Sequence, residues 1–443
     1  MRLFIKILIL IIVVSGFFLL FQKNNVVEIN VVGESAILRV PEAEQPTELS
    51  PILINADIDP QEPLENPPEE IKAIYSTSWS VSLSSRVNYF INLIKTTELN
   101  AIIIDIKDYS GYIAYDIKNA DVEKYGAKEI RIPQINKLIK RLHDEGIYVI
   151  ARITIFQDPI LAEARPDLAI HSRFRLDADL RGLDTDLRGQ NIKYSSSTLW
   201  LDNKKLAWMD PASEEVWDYN IAVAKDAASR GFDELNFDYI RFASDGNLDD
   251  MDFPFWDENT LKTATIKKFF KYLREELPDI KISADLFGLA TINYDGLGIG
   301  QIIEDAYEYF DFVAPMVYPS HYATGFIGYQ NPAAYPYEVV KYSMDSAIKR
   351  LKNYESRIMN NATTTEIHDS SFMIHASQLR PWLQDFDLGA DYDAEKVRAQ
   401  IDAVYDAASS TPELINGFML WDPRNVYTRE ALFTNSHESL IRD

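Results

Sequence analysis

The chain has 443 residues, a formal net charge of −24 and a hydrophobic share of 47%. That length suits one large α/β barrel with additions as well as two or three small domains, while the acidic balance argues against a nucleic-acid partner, which needs a basic footprint. The absence of cysteine excludes disulfides, thiolate nucleophiles and zinc–thiolate sites.

Arg2 and Lys6 precede an apolar run from Ile7 to Phe21, and Lys23 follows it. The run is shorter than the roughly 20 residues of a full membrane span. Residues 1–23 read as a signal anchor, with a cleaved signal peptide as the alternative. The positive flank puts the N-terminus inside. The expected location is therefore the cell membrane, single-pass, with the C-terminal domain outside; secretion is the alternative. Residues 24–69 are rich in Pro and Glu and poor in aromatics, which predicts a disordered stalk.

From residue 70 to 436 strand and helix patterns alternate. Strands are expected in IKAIYSTSW, at 100–108, at 147–156, in FDELNFDYIRF, at 280–288, at 312–320, at 378–386 and at 417–427. Helical patterns lie between them. The helix after strand 2 has Pro133 for its first turn and Gly146 for its stop, and the helix before strand 4 has Ser213 as an N-cap candidate. Eight strands alternating with helices predict a (β/α)8 TIM barrel; a doubly wound open sheet is the runner-up. Two polar insertions, 172–205 and 361–371, interrupt the rhythm. The first leaves strand 3, where loops build active sites in this architecture.

Side chains alternate faces along a strand. In strand 4, Leu235, Phe237 and Tyr239 share one face, and Glu234, Asn236 and Asp238 share the other. The apolar set suits the outer helices, so the polar set points into the barrel. Asp238 lies near the C-terminal end, where barrel enzymes place their chemistry, and Arg241 is expected to pair with it. An ionised Asp held by an Arg suits a carboxylate nucleophile or an oxocarbenium stabiliser. In strand 5, Asp285 occupies a matching place as the second carboxylate, raised to act as acid. Asp105 and Lys107 of strand 2 are expected on one inward face with Arg152 of strand 3 nearby, as a structural pair or as binders of substrate hydroxyls. Tyr318, Trp382 and Trp421, with Trp79 and Trp208, fall at or just past strand ends and suit the flat faces of sugar rings. Asp422 could reach a ligand, whereas Asp210 reads as a turn or cap residue.

Other chemistries are poorly represented. The histidines show no HxH or HExxH spacing, so no metal site is expected. GLGIG (296–300) lacks the end of a phosphate loop, and no GxSxG elbow exists. No cofactor is expected.

Several stretches, among them AIIIDIKDYSGYIAYD, ISADLFG, PMVYPSHY and GFMLWDPRNVYT, make the chain resemble a bacterial glycoside hydrolase domain family. That family is a TIM-barrel group first catalogued as a domain of unknown function and distantly akin to α-amylase-type barrels. The resemblance covers most of residues 71–430 and implies an exported, carbohydrate-active barrel. Chitinase-type barrels carry a Glu two residues after the last Asp of a similar strand-4 motif, where this chain has Ile240. The α-amylase-type pattern has an Arg two before its Asp and a Glu on strand 5, where this chain has Asn236 and Asp285. The carry-over therefore stops at Asp238 as nucleophile or stabiliser and Asp285 as acid. The combined expectation is an enzyme cleaving a polysaccharide or oligosaccharide; the alternative is a non-catalytic carbohydrate-binding barrel on the cell surface.

Overall fold

The computed structural model describes residues 56–176, 194–361 and 377–434. The apolar segment 1–23, residues 24–55 of the expected stalk, 177–193 of the first insertion and 362–371 of the second lie outside the described residues.

Eight parallel strands form the barrel: β1 (Ile71–Ser76), β2 (Ala101–Lys107), β3 (Tyr148–Thr154), β4 (Glu234–Asp238), β5 (Ile282–Phe287), β6 (Phe312–Met316), β7 (Trp382–Gln384) and β8 (Gly417–Trp421). Each pairs with the next in chain order. Closure comes from Trp382 pairing with both Met316 and Met419 and from Ile71 pairing with Gly417. Among the described residues, seven helices of at least seven residues separate the strands: α1 (Ser84–Thr96), α2 (Ile135–His143), α3 (Glu214–Ser229), α4 (Lys262–Glu276), α5 (Ile303–Tyr309), α6 (Pro336–Asn361) and α7 (Ala394–Ala407). The (β/α)8 reading holds, and the open sheet does not.

The sequence-based boundaries shift where local chemistry intervenes. The seventh strand is broken: Gln378–Leu379 pairs with β6 before Arg380 and Pro381, and β7 follows. Proline has no N–H to give to a ladder. The eighth strand stops at Trp421 because the chain turns through Asn425, at φ 57°. Pro133 precedes α2 and is not in its first turn. Ser213 holds the N-cap position of α3 without a side-chain capping bond. Gly417 opens β8 at φ 78°, and a Cβ there would sit 2.0 Å from the Ile71 carbonyl oxygen, so only glycine lets β8 approach β1.

Two apolar layers result. Outside the barrel, Ile104, Leu235 and Phe237 pack with helix residues such as Phe90, Ile139 and Phe269. Inside it, Ile71, Ala73, Ile103, Ile150, Ala314 and Met419 form a smaller core. The polar face of β4 crosses this interior from end to end. At its N-terminal end Glu234 accepts from Arg380, with both carboxylate oxygens 2.9 Å from Nη1. Both residues are fully buried, and Arg380 also donates to Asn416 and lies 3.8 Å from the centre of the Phe312 ring. An ion pair in this position is tolerated because its remaining hydrogen-bonding capacity is satisfied.

Residues 57–64, the end of the stretch read as stalk, are bonded to the barrel. Asp57 accepts from the backbone N–H of Asn136 and Lys137 at 2.8 and 3.1 Å, capping α2 from outside the helix. The Leu64 N–H donates to Asp233 at 2.6 Å. The composition that predicts disorder is answered here by caps that the barrel's lower rim needs.

Removing one partner of the buried pair should cost far more than removing both. Glu234→Leu or Arg380→Leu alone is expected to lower stability by about 3–5 kcal/mol, and the double variant should recover most of the loss. Urea unfolding of the four proteins tests this; equal losses in single and double variants would refute it.

Candidate active site

The site assembles at the C-terminal ends of the strands around one cation. Register sets Arg152 of β3 between Asp105 of β2 and Asn236 of β4. Its Nη1 donates to Asp105 Oδ1 at 2.6 Å, its Nη2 bonds Asp238 Oδ2, and its Nε lies 3.5 Å from Asp285 Oδ2. Three carboxylates from three strands thus share one guanidinium. Burial disfavours the charge of Arg152, but Asp105 and Asp238 outweigh that, and its pKa rises well above the usual arginine value.

The carboxylates differ in surroundings. Asp105 accepts the Tyr75 hydroxyl, and burial raises its pKa against the pull of Arg152. Asp285 is the most deeply buried, at 1% exposure. Its Oδ1 accepts from Asn236 Nδ2 at 2.8 Å and Trp382 Nε1 at 2.7 Å. Its Oδ2 has no hydrogen bond among the described residues and faces Arg152. Burial, followed by the charge of Asp238, pushes the Asp285 carboxyl up to about 8, against Arg152 and the two donors. Asp285 therefore carries a proton at neutral pH. Asp238 is the most exposed of the three, at 6%, and its Oδ1 accepts the backbone N–H of Tyr239 at 2.5 Å. Tyr239 sits at φ 55°, a left-handed conformation that costs a non-glycine residue roughly 1–3 kcal/mol. It turns the chain sharply at the end of β4.

Two of the expected contacts are replaced. Arg241 does not pair with Asp238; Arg152 holds that carboxylate, and Arg241 turns away beyond Tyr239 into a set of aromatic rings. Lys107 does not share the inward face with Asp105. The ladder with β3 slips between Asp105 and Lys107, a bulge that sends Lys107 to the helix side. There, fully buried, it pairs with Asp158 at 2.7 Å and donates to Thr154 O and Asn220 Oδ1. A period-2 reading carries no sign of a bulge. Asp422 is buried, and its carboxylate accepts from the backbone and side chain of Arg424.

The aromatic residues divide in the same way. Tyr318 and Trp421 lie 5.5 Å apart by ring centres, and Trp421 is 4.9 Å from Phe386 and 6.4 Å from Tyr75. Trp382 joins them beneath, 6.3 Å from Tyr75, and its ring N–H positions Asp285. Trp79 is exposed under Arg131. Trp208 is buried and donates to Asp202. Asp210 accepts three backbone N–H groups, those of Ala212, Phe255 and Trp256, as a turn residue does. Sequence reasoning left Tyr75 and Asn236 out of the site. Both follow the inward alternation of their strands, which was the available signal: Tyr75 continues Ile71 and Ala73, and Asn236 lies between Glu234 and Asp238.

The arrangement sets a protonated carboxyl beside a carboxylate bound to a cation, under an aromatic wall. That combination can deliver a proton to a leaving oxygen and stabilise positive charge developing on carbon.

The family described as "Putative glycosyl hydrolase domain" matches residues 73–176 and 184–427. Among solved structures, a hypothetical protein from Ruminiclostridium thermocellum is 34% identical over 48% of this chain and 96% of its own, with a TM-score of 0.40. The PgaB (BpsB) glycoside hydrolase domain from Bordetella bronchiseptica is 13% identical over 83% of this chain and 99% of its own, with a TM-score of 0.49. A Pyrococcus furiosus chitinase domain is 14% identical over 84% and 91%, with a TM-score of 0.42. Among curated proteins the chain has no match.

Replacing Arg152 should destabilise the fold in a pH-dependent way. Without the cation, Asp105 and Asp285, which burial already raises, rise further, so the native state binds more protons than the unfolded chain and stability falls as pH rises. Arg152→Met is expected to lose about 3–5 kcal/mol at pH 8 and clearly less at pH 5. Urea midpoints at the two pH values decide; a pH-independent loss would contradict the shared-cation account.

Proposed function

The chain belongs to the family described as "Putative glycosyl hydrolase domain", and we propose that it hydrolyses glycosidic bonds in a polysaccharide or oligosaccharide by means of Asp238 and Asp285. The observation that carries the proposal is the unequal pair: two carboxyls on neighbouring strands meet one guanidinium, and one of them is raised to about 8. Such a split between two acids matches the division of labour in glycoside hydrolysis. Asp285 donates the proton to the leaving oxygen. Asp238, bonded to Arg152 and the Tyr239 N–H, acts as nucleophile or stabilises the positive sugar ring. Asn236, Trp382 and Tyr75 hold these groups in place, and Tyr318 and Trp421 offer ring faces to the sugar.

A second reading, a carbohydrate-binding barrel without turnover, draws support from how little of Asp238 and Asp285 reaches solvent. We further propose that residues 1–23 anchor the chain in the cell membrane with the barrel outside, secretion being the alternative; its motivation is the basic-flanked apolar run. Protease treatment of intact cells should then degrade the barrel, and protection from the protease would refute the outward orientation.

Full-length protein tested against oligosaccharides and envelope glycans should show turnover. Asp238→Asn and Asp285→Asn are each expected to reduce it by roughly 10²–10⁴-fold. Saccharide binding without turnover in all three proteins would establish the binding barrel instead. Because the reaction uses the protonated form of Asp285, wild-type turnover should fall as pH rises through about 8. A profile that keeps rising through that pH would remove Asp285 from the role of acid.

A further inference from the structure

Arg241 follows the end of β4 by three residues and is 8% exposed. Its guanidinium carbon lies 4.5 Å from the ring centre of Phe287, 4.9 Å from Trp208 and 5.2 Å from Tyr239. Its Nη1 donates to Phe242 O at 3.0 Å and Ser244 Oγ at 3.2 Å. Among the described residues, its Nε and Nη2 have no hydrogen-bond partner and no carboxylate lies within ion-pair distance. The other buried arginines all have one: Arg131 bonds Asp108, Arg350 bonds Glu304 and Arg380 bonds Glu234. A buried cation without a carboxylate beside it is costly, and burial indeed pulls the pKa of Arg241 below the usual arginine value. In a chain of net charge −24, carboxylates are abundant, yet among the described residues none lies within ion-pair distance of Arg241.

The surroundings orient the guanidinium. The rings pack around the cation, and the two Nη1 bonds fix its rotation. What remains is the Nε–Nη2 edge, the side-on fork that matches a carboxylate. We propose that Arg241 binds a carboxylate of the substrate, which makes the substrate a glycan containing a uronic acid residue seated beside Asp238. This rests on the hydrolase reading of the site. A single guanidinium balances one negative charge. A phosphate dianion fits less well, since Asp238, Asp245 and Asp202 already act on Arg241 electrostatically. The negative charge of the whole protein disfavours a densely charged polymer, so the acidic sugar is one unit at one subsite.

The test compares oligosaccharides containing glucuronate or galacturonate with their methyl esters, which keep the ring and lose the charge. Binding to the full-length protein is read by calorimetry, and turnover is read in parallel. The wild type should bind the acid at least about 10-fold more tightly than the ester, and Arg241→Met should weaken acid binding by roughly 10–100-fold while leaving ester binding in place. Arg241→Lys should recover part of the loss, because it keeps the charge without the fork. Asp238→Asn should keep the preference for the acid although turnover is lost. Equal binding of acid and ester by the wild type overturns the assignment whether or not any variant folds, and Asp238-dependent turnover of neutral oligosaccharides would then leave the hydrolase reading standing. A preference for the acid that depends on Arg241, with no turnover of any glycan, supports the anion site and fails the hydrolase reading.

Discussion

Arg152 is the constraint on which the upper half of the barrel depends. A carboxylate inside a protein is costly unless it is paired, and β2, β4 and β5 each send one inward to nearly the same place. Arg152 is the cation that all three share. With it, they become a network in which each acid has a distinct setting: Asp105 bonded by Tyr75, Asp238 by the Tyr239 N–H, and Asp285 by Asn236 and Trp382. The difference between Asp238 and Asp285 therefore comes from their surroundings, since the two side chains are chemically identical.

The same principle organises the rest of the barrel interior. Glu234 and Arg380 form a second, sealed pair at the opposite end, surrounded by Asn416 and the face of Phe312. Between the two charged layers lie small and branched apolar residues, among them Ala73, Ile103, Ile150 and Ala314. One face of β4 contributes to every layer. Glu234 serves stability, Asn236 orients Asp285, and Asp238 bonds Arg152 at the C-terminal end. A third charged pair, Lys107 with Asp158, lies on the helix side of the wall. The bulge in β2 separates it from Asp105 although only one residue intervenes.

Strain and aromatic packing mark the rim. Tyr239 takes a left-handed conformation immediately after Asp238, which both delivers a backbone N–H to that carboxylate and redirects the chain so that Arg241 enters its group of rings. Tyr75, Tyr318, Phe386 and Trp421 form a continuous wall of rings. The rim thus carries ring faces in one group and, in another, a ring-enclosed cation with no carboxylate within ion-pair distance among the described residues. This asymmetry suits a ligand with an apolar face and one anionic group.

The sequence by itself determined the eight strands, their order and the inward direction of Glu234, Asn236, Asp238 and Asp285, because a two-residue period and a helical period are local properties of the chain. It also marked the ends of β4 and β5 as the place to look, through acidic residues set in otherwise apolar strands. What only the tertiary structure decided was the pairing. Arg152 and Asp238 are 86 residues apart in sequence, and Asp285 and Trp382 are 97 apart; nothing local distinguishes Arg152 from Arg241 as the partner of Asp238. Lys107 was misplaced because a bulge shifts the period by one residue without a marker in composition, and only the folded chain shows that the Asp422 carboxylate is buried against Arg424. Partners and bulges are settled by which strands become neighbours when the barrel closes, and closure is a property of the whole chain.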